Sequence, residues 1–471
     1  MTRADASRPD RSTAPARRTV VTGNHVVEAS ERIDDAMPNP APATRAGESV
    51  RGARARNGRL EFLDSLRGIA ALVVALQHLG EVIWPGLLAW SHLWWRPGEF
   101  GVIVFFICSG FIIPASMERR GDLVEFWIGR VFRLFPLYLS VLAVALIGFA
   151  TPWAAPDPNY HPVVDSLINT TMLQVFSSRP LVLGASWTLG YEMVFYLTLT
   201  VLFMLGWHRR SAGIATGLLI AAMILGTVLP TYLVFHPHQP MWVPVMLGIV
   251  AMAVAVVVPR LSGIQRMFGL TISLGVLLLV ANRPHDLWFS LILLASMFVG
   301  TVLYRYDVGQ YAGRTAALVF AFAVVGIIVI ERFYHVGAPD PTTGVIPRWW
   351  TEAGTFVSAY LVFGALFLLR RYAFPRVLVF LGTISYSVYL VHALVLLFPR
   401  PSLPSFVLYA FLLTVTIAIA SLTYRLIEKP GQMAGRRVIA RYRDYLAKRA
   451  RPADGDPPAV ARGTESVAQA R

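Results

Sequence analysis

The sequence predicts an all-α fold, a polytopic transmembrane helix bundle of about 10–12 spans with both termini in the cytoplasm. Three observations carry this reading. The 471 residues are 55% hydrophobic and only 15% charged, with a mean hydropathy of +0.56, whereas about a quarter of the residues of a soluble domain are charged. Apolar runs close to spanning length recur along the chain, and the loops between them alternate in arginine content. A soluble globular enzyme and a disordered chain are both excluded.

Residues 1–59 are rich in Arg, Ala, Pro, Asp and Thr, lack apolar periodicity and contain no short apolar core of a signal peptide. A disordered basic cytoplasmic tail is expected there. The membrane domain is expected over 60–430. Its apolar runs fall at about 62–84, 100–117, 128–150, 187–206, 212–235, 241–258, 266–281, 286–303, 314–331, 354–369, 376–397 and 404–426. One set of alternate loops holds Arg119, Arg120, Arg209, Arg210, Arg260, Arg266, Arg305, Arg314, Arg370, Arg371 and Arg376; the other holds Arg96, Arg179, Arg283, Arg332, Arg348 and Arg400. The richer side, with the basic tails, faces the cytoplasm by the positive-inside rule, and a multi-pass protein of the inner membrane follows. The loops 151–185 and 332–353 then lie outside, as a lid or as interfacial anchors.

Residues 431–471 form a second basic cytoplasmic tail. Arg436, Arg437, Arg441 and Arg443 alternate with Val438, Ile439, Tyr442, Tyr445 and Leu446 at helical spacing. That pattern suits a helix on anionic lipid or a solvated helix, followed by disorder.

The formal charge of +15 does not indicate nucleic acid, because it is spread over tails and short loops. Residues 1–59 carry eleven Arg against seven acidic groups, and residues 431–471 carry nine basic against four acidic. One cysteine, Cys108, excludes an internal disulfide and any Cys-based metal site. No phosphate-cradling glycine loop, nucleophile elbow or zinc-protease motif occurs. His236 and His238 flank a proline and make poor metal ligands, so no metal is expected.

Ionisable groups inside spans are costly and are candidates for function. In the first run, Arg67 and His78 are eleven residues apart, which is about 20° past three full turns, so both project from one helix face with a rise of about 16 Å. Arg67 is expected near the cytoplasmic headgroups, His78 near the membrane middle, and Asp64 is placed to pair with Arg67. An imidazole at that depth suits proton transfer. Arg130 and Arg133 lie one turn apart at the start of the third run, as a phosphate clamp or as positive-inside anchors. Glu192 is expected toward the outer end of the fourth run, with a partner that keeps it ionised. In the eleventh run, Ser385, Tyr389 and His392 share a face that can line a sugar site or bond neighbouring helices. Ser109-Gly110 is a small pair suited to a close helix contact.

These segments, in this order, resemble the integral-membrane acyltransferase family 3, which includes O-acetyltransferases of bacterial surface polysaccharides and macrolide acyltransferases. The resemblance rests on Leu63-Asp64 to Gly68 with His78, Gly101-Val102 with Phe105-Phe106 and Ser109-Gly110-Phe111, and Arg130 to Arg133 with Pro136 and Tyr138. It continues through Trp187-x-Leu189-x-x-Glu192, Leu381-Gly382 to Tyr389-Leu390 and His392, and Glu428-Lys429-Pro430. Ser65 and Ile103 depart from the pattern, which has Gly and Asp there.

The resemblance implies an O-acyltransferase with His78 as principal catalytic residue, with Arg67 and Glu192 contributing. It implies Arg67, Arg130 and Arg133 at an acyl-CoA donor that is a co-substrate and not a permanently bound cofactor. Glu192, Tyr389 and His392 are then expected at the acceptor, a surface glycan or glycolipid, or else a small secreted glycoside such as a macrolide. His78 would act as general base or carry the acyl group itself. Membrane lipids are the other expected partners. On physics alone, a transporter or flippase of a lipid-linked glycan fits the buried ionisable groups equally well.

Overall fold

The computed structural model describes residues 43–227, 282–334 and 348–450, together with isolated positions 231, 269, 275, 276 and 346, and side chains from Glu61 to Arg449. The chain divides into a short unit, Met1–Gly52, and a unit Ala53–Arg471. Of the short unit, residues 43–52 are described and are helical. Everything below concerns the second unit.

Among the described residues every regular element is helical. In chain order these are α1 (Ala43–Ile83), α2 (Pro85–Leu93), α3 (Pro97–Arg120), α4 (Leu123–Phe149), α5 (Pro162–Asn169), α6 (Trp187–Met204) and α7 (Ser211–Leu225). They continue with α8 (Leu287–Asp307), α9 (Gly313–Tyr334), α10 (Trp349–Leu368), α11 (Arg376–Thr383), α12 (Ser385–Leu397), α13 (Ser405–Thr423) and α14 (Lys429–Ala450). Among the described residues, eight helices are long and apolar enough to cross a membrane, and the bent pair α11 and α12 makes a ninth if counted as one span. The fold is therefore the expected polytopic bundle. The runs 241–258 and 266–281, like His236 and His238, lie outside the described residues, and the run at 212–235 is described through α7 and its following turn.

Local chemistry sets the helix boundaries. Pro85 and Pro97 open α2 and α3, where a missing N–H costs nothing. Gly121 ends α3 in the left-handed region at φ +67°, and the Asp122 side chain caps α4 by accepting from the Glu125 N–H at 2.9 Å. This two-residue turn returns the chain antiparallel and sets the arginines that close α3 beside those that open α4.

Helices α3 and α8 form the centre of the bundle, with small residues where they cross. A Cβ on Gly110 would lie 1.7 Å from the Met297 carbonyl oxygen, and one on Gly300 would lie 2.1 Å from that of Ile107. Thr301 Oγ1 donates to the Gly110 carbonyl at 2.9 Å, and Ser296 shares a 2.8 Å bond with Tyr360 on α10. Close backbone approach sealed by small polar side chains is how helices associate where lipid removes the hydrophobic drive. A second crossing joins α1 to α11: a Cβ on Gly382 would lie 1.9 Å from the Asp64 carbonyl oxygen, and one on Gly68 would lie 2.6 Å from the Gly382 nitrogen.

Four expectations change. Residues 43–59 are helical where disorder was expected; Ala, Arg and Glu are good helix formers, and the adjoining span supplies the nucleus. The run 376–397 is two helices meeting at 65°, because α11 is held against α1 at Gly382 while α12 turns to follow the bundle. The loop 151–185 is no simple lid. Beyond residue 161 it packs inward, with Asn169 and Gln174 buried, Tyr138 donating to the Asn169 carbonyl at 2.6 Å and Arg179 paired with Asp165 at 2.6 Å. Finally, the basic helix after the last span packs against the bundle. It continues α13 through a π turn at Tyr424–Glu428 and docks on α4, where Gly435 meets Phe132 and Arg443 grips both oxygens of Glu125 at 2.6 Å.

The Gly110 crossing leaves no room for a methyl group, so Gly110→Ala is expected to lower stability by about 3 kcal/mol or more. Gly217, on α7, has nothing within 4 Å of its Cβ position, and Gly217→Ala is expected to leave stability unchanged or slightly raised. Thermal unfolding of the two variants in detergent micelles checks the contrast.

Candidate active site

The crossing of α1 and α11 sets two histidines face to face. His78 Nδ1 lies 3.1 Å from His392 Nε2, and the rings stack with centroids 5.3 Å apart. His392 is fully buried, and its Nδ1 lies 3.2 Å from the Val388 carbonyl oxygen. A carbonyl only accepts, so His392 carries its proton on Nδ1 and offers a lone pair at Nε2. His78 Nδ1 must then donate, which leaves the lone pair of His78 on Nε2. His392 thereby selects the tautomer of His78.

His78 borders a cavity of about 810 Å³, together with Gln77, Arg96, Trp187, His285, Phe289 and Tyr389. Its rim carries a fixed ion cluster in which Arg96 pairs with Glu99 at 2.8 Å and also with Glu352. Gln77 accepts from the Gly98 N–H and donates to Glu81. His285 packs edge-on to Trp187, at 5.1 Å between centroids, and against Phe289 at 5.0 Å. Burial, with the Arg96 charge nearby, pushes the His285 imidazole down to about 4.

A second pocket lies further along the same bundle, bordered by Arg67, Arg130, Arg133, Ser109 and Glu192 among others, with space of about 20 Å³. Three guanidinium groups there face one lining carboxylate. Arg67 sits over the Phe105 ring at 5.4 Å; Arg130 sits near Phe126 at 5.6 Å and Tyr196 at 5.9 Å. One Arg130 terminal nitrogen donates to Ser116 at 3.2 Å, but its buried Nε has no partner. An unpaired buried N–H of a guanidinium is expensive, and an anion would satisfy it. Glu192 accepts from Tyr196 at 2.7 Å and from Ser109 at 3.2 Å.

A narrow gap with space of about 10 Å³ lies between the two. It shares Val74, Val102 and Tyr389 with the large cavity, and Phe105, Glu192 and Tyr386 with the arginine pocket. The three spaces therefore form one line, pinched by aromatic rings; Phe105 and Tyr389 stack there at 6.3 Å.

The residues singled out from sequence thus fall into two groups. His78, His392 and Tyr389 gather at the large cavity; Arg67, Arg130, Arg133 and Glu192 gather at the other end of the line. Glu192 belongs with the arginines and not with His392, because its helix enters the bundle through the inward-packed segment that precedes it. The apolar part of α1 is Glu61–Ile83, and His78 lies five residues before its end, at the lining of the large cavity. Asp64, one turn before Arg67, makes no ion pair with it, and the Asp64 backbone meets α11 at Gly382. Tyr389 shares its hydroxyl with Thr188 and the Ala185 carbonyl, both at 2.6 Å, and Tyr386 donates to the Leu134 carbonyl at 2.9 Å. Ser385 is buried away from all three spaces.

Sequence reasoning missed Gln77, Arg96, Glu352 and His285. Only their arrival at one cavity from separate segments marks them. Among the described residues no cluster of His, Cys, Asp and Glu suits a metal ion.

His285 is neutral in the folded protein from about pH 4 upward. Below pH 6.5 the unfolded chain takes up a proton there that the folded chain refuses, so this site costs stability progressively as pH falls from 6.5 to 4. Wild type is expected to lose thermal stability relative to His285→Gln over that window, with no change in their difference above pH 7, as read by parallel melting curves.

Comparison with known proteins places this geometry. The acyltransferase domain family of the family-3 type matches residues 60–425. The chain is 27% identical over 165 residues to acyltransferase MdmB of Streptomyces mycarofaciens, covering 32% of this chain and 40% of that protein. It is 24% identical over 421 residues to SAR0937 of Staphylococcus aureus (strain MRSA252), covering 82% of this chain and 59% of that protein. It is 22% identical over 421 residues to O-acetyltransferase OatA of Staphylococcus aureus (strain NCTC 8325 / PS 47), covering 81% and 58%. The chain thus spans well under two thirds of the length of each. With a histidine-bearing cavity in a polytopic helix bundle and a family match over most of its length, the chain belongs to the family-3 membrane acyltransferases.

Proposed function

We propose that this protein moves an acyl group, acetyl by preference, from acyl-CoA to a hydroxyl of a glycan or glycoside at the far side of the membrane. The observation that carries the proposal is the alignment of a tautomer-fixed histidine with an arginine pocket at a matching distance. Thirteen bonds separate the sulfur of CoA from its nearest phosphorus, and an extended chain advances about 1.2 Å per bond, so the pantetheine arm reaches about 16 Å. The rise from Arg67 to His78 is about 16 Å as well. Phosphates held by Arg67, Arg130 and Arg133 therefore put the thioester at His78.

His78 Nε2 accepts the proton of the acceptor hydroxyl as its oxygen bonds to the thioester carbonyl carbon. The C–S bond then breaks, the sulfur takes that proton from the imidazolium, and ester and free CoA result. During the step His392 Nε2 keeps accepting from His78 Nδ1, which holds the ring in place and steadies its transient charge. Aromatic faces at Trp187 and Phe289, with the polar groups of Gln77, Arg96 and Glu352, suit a hydroxyl-rich ring in the large cavity. Glu192 lines the same pocket and holds the hydroxyl of Tyr196, whose ring lies under Arg130, a positioning role. The arginine-rich loops put the donor side in the cytoplasm, and the large cavity then opens outward.

With the purified protein, labelled acetyl-CoA and glycan acceptors, His78→Ala is expected to cut turnover by about 10²–10⁴-fold. Arg130→Ala is expected to raise the KM for acetyl-CoA by about tenfold or more with a smaller change in kcat. Transfer left intact by His78→Ala would overturn the assignment. Mass spectrometry of surface glycans from a deletion strain and its parent, differing by one acyl unit, would identify the acceptor.

A further inference from the structure

Near the arginine pocket, where α14 lies on α4, a fourth space of about 370 Å³ opens between Arg120, Glu125, Arg436, Arg443 and Asp444. Its cations differ in how they are engaged. Arg443 is held by both oxygens of Glu125, and Arg120 donates to the Glu125 carbonyl. Arg436 makes no hydrogen bond or ion pair with a described residue and is exposed at the wall of the space. The space is next to the arginine pocket: the Arg120 guanidinium lies 2.0 Å from where a Cβ on Gly129 would stand, one residue before Arg130. Along α4, Glu125 lies five residues before Arg130, a rise of about 7.5 Å.

Resting on the acyl-CoA reading above, we infer that this space is a phosphate subsite, formed by Arg436 and Arg120 on α14 and α3, for the 3′-phosphate of the donor's nucleotide end. Six bonds link the phosphorus next to the ribose to the 3′-phosphorus, which is about 7 Å extended, the same step as from Arg130 to Glu125. A phosphate monoester carries about −1.5 to −2 charges near pH 7, which one unpaired guanidinium with a second beside it would meet. Glu125 has a structural part: by tying down Arg443 and Arg120 it sets the wall that Arg436 completes. The same phosphate chemistry is offered by anionic lipid headgroups, and the test separates the two.

The experiment compares acetyl-CoA with acetyl-dephospho-CoA in the full-length protein in phosphatidylcholine nanodiscs. Wild type is expected to show a KM about tenfold lower for acetyl-CoA. Arg436→Gln, an exposed change, is expected to raise the acetyl-CoA KM about tenfold and leave that of acetyl-dephospho-CoA unchanged. Arg437→Gln, on the same helix but outside the space, is expected to change neither. Equal effects of Arg436→Gln on both donors, or no discrimination by wild type, would overturn the inference. So would a KM that follows added phosphatidylglycerol for both donors and loses that response in Arg436→Gln, which would assign the site to lipid. If no donor is turned over, the transferase reading fails by itself. Calorimetric binding of adenosine 3′,5′-bisphosphate then decides the subsite: binding weakened tenfold by Arg436→Gln upholds it, and no binding by wild type overturns it.

Discussion

The site depends on the contact of two backbones at Gly68 and Gly382. Because neither residue has a side chain, α1 and α11 touch main chain to main chain, and both chains leave the crossing toward the same end of the bundle. Each then meets a histidine ten residues on, His78 on one strand of the path and His392 on the other. The break at Ile384 lets α12 swing back so that its histidine reaches its partner at 3.1 Å. Had either glycine been larger, the helices would stand apart by more than a hydrogen bond can span.

The same economy governs the charged groups. In an apolar bundle each ionisable side chain needs a partner or a ligand. Arg305 finds Glu118 at 2.7 Å and Ser211 at 2.9 Å, and Arg370 finds Asp307 at 3.0 Å. Glu428, on the π turn, accepts from Ser387 at 2.8 Å; an inserted residue in a helix often marks a place under functional demand. The Nε of Arg130, without a partner among the described residues, and the lone pair that the His392 bond leaves on His78 bracket the pinched passage.

Much of this was legible beforehand. Helical periodicity alone placed Arg67 and His78 on one face, because α1 is a regular helix over that stretch and angle and rise follow from residue count. Arg130 and Arg133 were legible for the same reason. Glu192 was misplaced because its depth depends on the packing of residues 162–186, a segment whose Pro, Asp and Asn content reads as loop although Asp165, Asn169 and Gln174 are each bonded inside the bundle. His285 and Arg96 were not legible, since each looks like an ordinary connecting residue until the fold brings four separate segments to one cavity. The bend at Ile384 was hidden too; its run has the length of a single span, and only the crossing partner reveals why it breaks.

The ring of aromatic side chains between the two larger spaces has a bioenergetic consequence. In a bundle of membrane-spanning helices, an open path lined by polar groups between internal spaces is a route for protons, and whatever separates those spaces has to block it. Phe105, Tyr386 and Tyr389 leave no more than the volume of a single water there, and both tyrosine hydroxyls donate to backbone carbonyls. A gap this narrow acts as a plug, so that neither of the two larger spaces communicates with the other through open volume.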